Sequence, residues 1–286
     1  MIIRAYAKIN WSLDTVGTRE DGYHLLDMVM QSVSLHDTLT IEPADSLSLR
    51  VEGPRRAPEG PDNLVLRAAE ALRQHAGIDA GAAIRLRKRI PSGAGLGGGS
   101  SDAAAALRGL NALWSLQYPL DTLCSIGLKI GADIPYCLHG TLCRVEGVGE
   151  IITPLPGGRI YHLVILQPCR GLSTKQVFTA LGDASALRRP DTPGVIDALQ
   201  SGALSALPGV MGNTLQEISM PMRPQIRQAI TALREHGARA AQMTGSGSAV
   251  FGVFASASAA RTAWESLQKK YSACYLAHTL TGVGDV

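Results

Sequence analysis

Residues 91–107 read PSGAGLGGGSSDAAAAL, five glycines set between a proline and an alanine-rich run. Glycine lets backbone N–H groups turn inward where a side chain would block close approach, and the alanines that follow are strong helix formers. The spacing predicts a helix over 101–113. Its first N–H groups are unpaired and its dipole favours negative charge at the glycine end. An anion cradle is the functional expectation. The bland alternative is a stretch kept small for tight packing, with Ser100 or Ser101 as an ordinary N-cap.

Two familiar glycine signatures compete for the stretch. Gly93-x-Gly95-x-x-Gly98 has the letters of the dinucleotide fingerprint, which also needs an acid on a second strand about 20 residues downstream. Residues 119–121 open another helix instead, so the context fails. A Walker A loop fails because no Gly-Lys-Ser/Thr follows the glycines. A phosphate cradle of another kind remains, in which Ser100 or Ser101 caps the helix, binds phosphate or ligates Mg²⁺. Asp102 suits the dipole as a first-turn acid but would repel a phosphate, so it is expected to face away or to help hold the metal.

Outward from the cradle, apolar spacings of 2 and 3.6 alternate, the mark of a mixed α and β chain. DNLVLRAAEALRQHAG places Leu64, Ala68 and Leu72 on one helical face, with Gly77 where a C-cap belongs. AAIRLRKRIP alternates as a strand, with Ile84, Leu86 and Ile90 on one side and Arg85, Arg87 and Arg89 on the other. Lys88 falls on the apolar side, where an edge lysine that snorkels is the bland reading. A helix follows Pro119, and YHLVILQP (161–168) reads as a buried strand. GLSTKQVFTALG, PMRPQIRQAITALREHG and ASAARTAWESLQKKY read as helices. Between the last two, QMTGSGSAVFGVF is either a bulged hairpin or a second backbone cradle. LPGGR (155–159) is the linker candidate, dividing the chain into domains 1–155 and 156–286.

Composition narrows the function. The 286 residues are 45% hydrophobic and 18% charged, enough for a sizeable core. With a net charge of +3, no long basic run and 5% aromatics, nucleic-acid binding is not expected. Five cysteines without a Cys-x-x-Cys pair point to reduced thiols rather than disulfides or zinc. The N-terminal residues lack a signal-peptide core, and no apolar run approaches the ~20 residues of a membrane span. A soluble cytoplasmic protein, monomeric or weakly dimeric, is expected.

Three further constellations carry chemistry. AYAKINWSL sets Lys8 and Asn10 on alternate residues, hence on one strand face, and a lysine there needs water or a partner. Tyr23 and His24 follow an Asp21-Gly22 turn, a surface turn on the bland reading and a ring-binding pair on the functional one. GADIPYCLHG puts Asp133 where an N-cap aspartate belongs; functionally it would be a carboxylate beside a transferred phosphoryl group, with Lys8 as counter-charge.

Taken together, PSGAGLGGGSSDAAAA, MTGSGSAVFGVF and AYAKINWSL resemble, in order and over nearly the whole chain, the three motifs of the GHMP kinases (galactose, homoserine, mevalonate and phosphomevalonate kinases). AKINWSLDTVGTREDGYHLLDMVMQSVSLHDTLTIE, DNLVLRAAEAL and GADIPYCLHG resemble the members that act on cytidylated methylerythritol. The resemblance implies an α+β, two-domain GHMP fold with its site in the interdomain cleft. It also implies ATP- and Mg²⁺-dependent phosphorylation of a small molecule, the cytidylated methylerythritol, at its 2-hydroxyl. By motif, Asp133 and Lys8 would be catalytic. Asn10, Tyr23, His24, Thr174 and Phe178 would bind substrate, with cytosine between Tyr23 and Phe178. Pro91, Gly93, Ala94, Gly95, Leu96, Gly97, Gly98, Gly99, Ser100 and Ser101 would wrap the ATP phosphates, and Asn63, Leu64 and Lys88 would line the adenine pocket. The resemblance supplies no counterpart here to the glutamate by which some GHMP kinases bind Mg²⁺, and Ser100 or Ser101 is the expected metal ligand. The rival expectations are another GHMP kinase lacking the Tyr23–His24 element, a non-catalytic nucleotide-binding relative, and a Rossmann oxidoreductase.

Overall fold

Two long strands, β1 (Ile2–Thr18) and β2 (His24–Ala44), pair antiparallel and form the spine of the first sheet. The computed structural model describes residues 1–55, 57–156, 159–181 and 187–282. Alongside β2 lie β4 (Gly81–Arg87) and, parallel to it at the edge, β3 (Leu47–Glu52). The other end of β2 takes a short ribbon of β5 (Cys143–Gly147) and β6 (Ile151–Pro154). The pairing of β1 with β2 shifts register between Tyr6 and Lys8, Asn10 and Ser12, and Thr15 and Gly17. Such irregularities re-aim side chains and bend a ribbon, and here they fall around the two polar residues singled out in the sequence.

One face of this sheet is covered by α1 (Leu64–Ala76), α2 (Gly98–Leu113), α3 (Leu120–Leu128) and α4 (Ile134–His139). Gly77 ends α1 in the left-handed conformation, as its position predicts. The alanines of α2 have a packing reason as well as a propensity one. Ala103, Ala104, Ala105 and Ala106 are all buried, and a Cβ on Gly109 would lie 2.3 Å from Ile3 Cδ1, so the helix sits close on the sheet.

The second half builds its own sheet in the order β11 (Cys274–His278), β7 (His162–Leu166), β10 (Val250–Phe254) and β9 (Ala240–Met243), all antiparallel. The connecting segments hold α5 (Thr174–Thr179), α6 (Thr192–Ser201), α7 (Leu207–Val210), α8 (Thr214–Met222), α9 (Gln225–Glu235) and α10 (Ala257–Leu267). β7 alternates strictly: Val164 and Leu166 pack with α9 and α10, whereas Leu163 and Ile165 meet Ile9, Trp11 and Val33 of the first sheet. Trp11 is fully buried at this junction, edge-on to Tyr161 and Phe251 at 5.3 and 5.7 Å. Its indole N–H donates to Gln31 Oε1.

Strands of the first sheet run to Pro154 and those of the second begin at His162, with one exchange. β8 (Gly212–Asn213), from the second half, pairs with β1 in the first sheet. Gly157 and Gly158 of the proposed linker lie outside the described residues. No described helix is long and apolar enough to cross a membrane.

Candidate active site

The glycine stretch leaves β4 and enters α2 at Gly98, so the helix begins earlier than its spacing predicts and glycines form its first turn. Gly97, at φ 68°, is the N-cap, and no side chain caps the helix; neither Ser100 nor Ser101 does so. The first-turn N–H groups therefore lack a side-chain acceptor, with the positive end of a 16-residue helix dipole behind them. That is the chemistry of an anion site. Gly97 also permits a close approach, since a Cβ there would lie 2.9 Å from Lys8 Cγ. Lys8 N donates to Leu96 O at 3.0 Å, fixing the loop to β1.

The segment that read as hairpin or cradle is a hairpin. β9 and β10 pair directly, and the connecting loop 244–249 lies on the glycine loop. Gly95, at φ +81°, meets it most tightly: a Cβ there would be 2.1 Å from Thr244 O. Ala249 N donates to Ala94 O at 3.0 Å, and Ser248 Oγ to Cys169 O at 2.5 Å. A third segment closes in at Gly171, whose added Cβ would overlap Gly93 O. Both halves of the chain thus shape the cradle.

Lys8, Asn10 and Asp133 come together beside it. The Lys8 side chain is 5% exposed and its Nζ donates to Asn10 Oδ1 at 2.9 Å. Asp133 Oδ2 lies 3.8 Å from that ammonium, with the carboxylate side chain 38% exposed. Although Asp133 stands at the N-cap position of α4, its side chain makes no capping bond, so the ordinary N-cap reading does not hold. A half-open carboxylate faces a buried ammonium, a geometry that leaves the carboxylate free to accept a hydrogen bond from a bound hydroxyl.

Asn10 occupies a different place from the one expected of a substrate ligand. Its side chain is fully buried, and Oδ1 receives Lys8 Nζ, Thr244 Oγ1 at 3.1 Å and Gly245 N at 3.0 Å. What this amide holds is Lys8 and the hairpin loop. Gln242 and Asn213 act alongside it. Gln242 Nε2 donates to the carbonyls of Asn10 and Trp11, and Asn213 Nδ2 to those of Met243 and Gly245.

The ring residues gather at the far end of β1 and β2. His24 stacks on Phe178 with centroids 5.1 Å apart and planes 17° from parallel. Tyr23 is 62% exposed and takes the Arg19 guanidinium over its ring at 5.6 Å. The ring facing Phe178 is thus His24, where cytosine was expected between Phe178 and Tyr23. Thr174, first residue of α5, lies 3.0 Å from Ser246 of the hairpin loop, hydroxyl to hydroxyl.

Of the residues assigned to adenine, Asn63 caps α1, accepting from Val65 N at 2.9 Å while its Nδ2 donates to Pro58 O at 2.6 Å. Leu64 reaches the cradle, its Cδ1 3.4 Å from a Cβ built on Gly99. Lys88 neither snorkels nor offers its side chain to a pocket. It is 2% exposed, and its ammonium is held between Asp37 Oδ2 and Asp102 Oδ2, the latter at 2.7 Å. Burial lowers the Lys88 pKa, but the two carboxylates outweigh it and raise the pKa above the usual lysine value. Burial pushes the Asp102 carboxyl well above its usual range against the pull of Lys88, and the charge on Asp37 adds to the rise. Asp102 therefore faces away from the cradle. Asp37 is a site residue outside every motif, yet its sequence signal is plain: it continues the inward series Val33, Leu35, Leu39 and Ile41 on β2, a charge in an apolar register.

The two serines also part. Ser101 is buried and its hydroxyl donates to Tyr6 O at 2.5 Å, whereas Ser100 is half-buried. Pro91 is buried beneath the loop. Cys137, one turn after Asp133, sits 3.3 Å from Ser101 Oγ, and burial pushes its thiol up to about 12. Among the described residues, no group of three or more His, Cys, Asp or Glu side chains could hold a metal ion.

Comparison with known proteins agrees with this geometry. Residues 63–141 match the GHMP kinases N terminal domain and residues 184–273 the GHMP kinases C terminal domain. The 4-diphosphocytidyl-2-C-methyl-D-erythritol kinase of Alkaliphilus metalliredigens (strain QYMF) is 39% identical over 96% of this chain and 94% of its own. That of Clostridium tetani (strain Massachusetts / E88) is 38% identical over 98% of this chain and all of its own. A crystal structure of 4-(cytidine 5'-diphospho)-2C-methyl-D-erythritol kinase superposes with a TM-score of 0.84 at 33% identity, covering 99% of this chain and 100% of that one. A homoserine kinase from Cytophaga hutchinsonii, at a TM-score of 0.75, 18% identity and coverage of 99% and 95%, shares the fold. With an uncapped glycine loop, a lysine–aspartate pair beside it and relatives matching end to end, this chain belongs to the GHMP kinases, in the family of the 4-diphosphocytidyl-2-C-methyl-D-erythritol kinases.

Proposed function

We propose that this protein transfers the γ-phosphoryl group of ATP to the 2-hydroxyl of 4-(cytidine 5'-diphospho)-2-C-methyl-D-erythritol, a step of non-mevalonate isoprenoid precursor synthesis. The observation that carries the reading is the position of Lys8. Its stem lies against Gly97 of the uncapped loop, and its ammonium lies 3.8 Å from Asp133. One side chain thus joins the place for the phosphoryl donor to the carboxylate that would handle the acceptor hydroxyl.

In this mechanism the residues act chiefly by position and charge. The N–H groups of Gly98, Gly99 and Ser100 hold the phosphates, and the loop 244–249 fixes the cradle from the other side. Asp133 accepts the hydrogen bond of the 2-hydroxyl and aligns it for direct in-line attack, without a phosphoenzyme. Lys8, 3.8 Å from Asp133, holds that carboxylate in place and balances charge developing on the transferred group. Asn10 holds Lys8 in place. His24, Phe178, Tyr23 and Thr174 form the cytidine end, for which the stacked His24–Phe178 pair is the supporting observation. Leu64, Asn63 and the backbone of Lys88 border the adenine. Mg²⁺, when bound, neutralises phosphate charge; Ser101 is engaged with Tyr6, so Ser100 is the serine we assign to it. The protein is read as cytoplasmic, monomeric or weakly dimeric, with no nucleic-acid partner.

The test is ADP release from ATP and Mg²⁺ with the cytidylated substrate, and with Asp133→Ala in parallel. Turnover that disappears in the variant supports the reading. Near-normal kcat in the variant removes Asp133 from the mechanism.

A further inference from the structure

Beneath the phosphate loop lies a buried ion triad for which the proposed mechanism has no use. Lys88, just past the end of β4, donates to Asp37 of β2 and to Asp102 in the first turns of α2, and all three side chains are 4% exposed or less. Asp37 does more than pair. Its Oδ1 accepts the backbone N–H groups of Arg89 at 2.5 Å and Ile90 at 2.9 Å, the two residues that lead into Pro91. Lys88 Nζ would stand 3.4 Å from a Cβ on Gly98, directly under the first turn of the helix.

A pure stability role fits this triad poorly. Two carboxylates share one ammonium away from water, and Asp102 Oδ1 is buried with no partner. Taking such charges out of solvent costs more than apolar side chains of the same volume would. The arrangement makes sense for geometry. The loop enters from residues 88–90 and leaves through the first turn of α2, and the triad ties those two points to each other and to β2.

We propose that Asp37, Lys88 and Asp102 are positioning residues that staple the two ends of the phosphate loop and thereby set its affinity for ATP. This rests on the kinase reading above only for the identity of the nucleotide. A staple predicts a selective effect, because it bears on the loop and not on the cytidine end, where His24 and Phe178 lie.

The experiment compares Asp102→Leu, which keeps the branched shape with larger, apolar ends and removes the tie, with Asp102→Asn, whose amide oxygen can still accept from Lys88. KM for ATP and for the cytidylated substrate are measured separately, with the melting temperature and equilibrium binding of a non-hydrolysable ATP analogue. Asp102→Leu should raise KM for ATP and the analogue Kd about tenfold, the loss of one charge-assisted hydrogen bond, with KM for the other substrate within twofold. Asp102→Asn should restore ATP affinity to within about threefold of the parent. Unchanged or tighter ATP binding in folded Asp102→Leu would overturn the proposal, as would an equal rise in both KM values. If Asp102→Leu does not fold, Asp102→Asn and Asp37→Asn decide: a raised KM for ATP alone in Asp37→Asn supports the staple, and an equal change in both KM values overturns it. Analogue binding does not depend on the acceptor, so a parent enzyme inactive on the cytidylated substrate would refute the function while leaving the staple testable.

Discussion

Replacing Gly95 by alanine is the sharpest structural perturbation of the cradle, and Gly93 supplies its control. Both glycines have positive φ, +81° and +62°, so an alanine at either accepts the same left-handed strain of about 1–2 kcal/mol. They differ in what the new methyl meets. At Gly93 nothing lies within 4 Å, whereas at Gly95 the methyl would sit 2.1 Å from Thr244 O, with the Gly247 N at 3.2 Å. The contact must open by more than about 1 Å, and forcing extra volume into packed backbone costs about 1–3 kcal/mol. Gly95→Ala should therefore be less stable than Gly93→Ala by about 1–3 kcal/mol. With a urea m-value near 3 kcal/mol/M for a chain of this size, that separates the two unfolding midpoints by about 0.3–1 M. The movement also reaches the chemistry, because Thr244 Oγ1 donates to Asn10 Oδ1, which holds Lys8. Urea unfolding of both variants, with kcat from coupled ADP release, is the assay. Coincident midpoints, together with parental kcat in Gly95→Ala, would refute the claim that the hairpin loop clamps the cradle.

Asp133→Ala should lower kcat by about 10²–10⁴-fold, the usual contribution of a positioned acid–base group, while KM for ATP stays within a few-fold in steady-state kinetics. Phe178→Ala removes the ring stacked on His24 and, on our reading, a stacking surface for cytosine, so KM for the cytidylated substrate should rise about tenfold with KM for ATP unchanged. An equal rise in both would mean the ring only supports the fold. Burial pushes the thiols of Cys124 up to about 11 and of Cys137 and Cys274 up to about 12. Above about pH 8.5 the unfolded chain releases these protons and the folded one does not, so stability falls as pH rises toward 11. The urea midpoint should drop between pH 8 and pH 10, and less steeply in Cys137→Ser; a flat midpoint would contradict the burial argument.

The sequence revealed the elements that periodicity governs. The helix capped by Gly77, the buried strand at His162–Leu166 and the alternation of β4 follow from local pattern, and each forms where the pattern puts it. Helix α2 starts three residues before its spacing predicts, because propensity penalises glycine, whereas here glycines form the open first turn. The exchange of β8 into the first sheet left no mark, since two residues carry no period. For the site, the residue types were legible before their partners were. Lys88 stood out as a charge in an apolar register, and Asp37 broke the same rule on the neighbouring strand. Only the pairing of β2 with β4 brings those two exceptions together. Asn10 was legible as a polar residue beside Lys8, but its burial depends on a hairpin more than 230 residues away, which no local pattern encodes.

On this reading the protein phosphorylates one specific acceptor. ADP release measured with ATP, Mg²⁺ and, in separate reactions, the cytidylated methylerythritol, mevalonate and homoserine tests it most directly. The account predicts turnover with the first that is lost in Asp133→Ala, and none with the other two. Turnover confined to mevalonate or homoserine would contradict it.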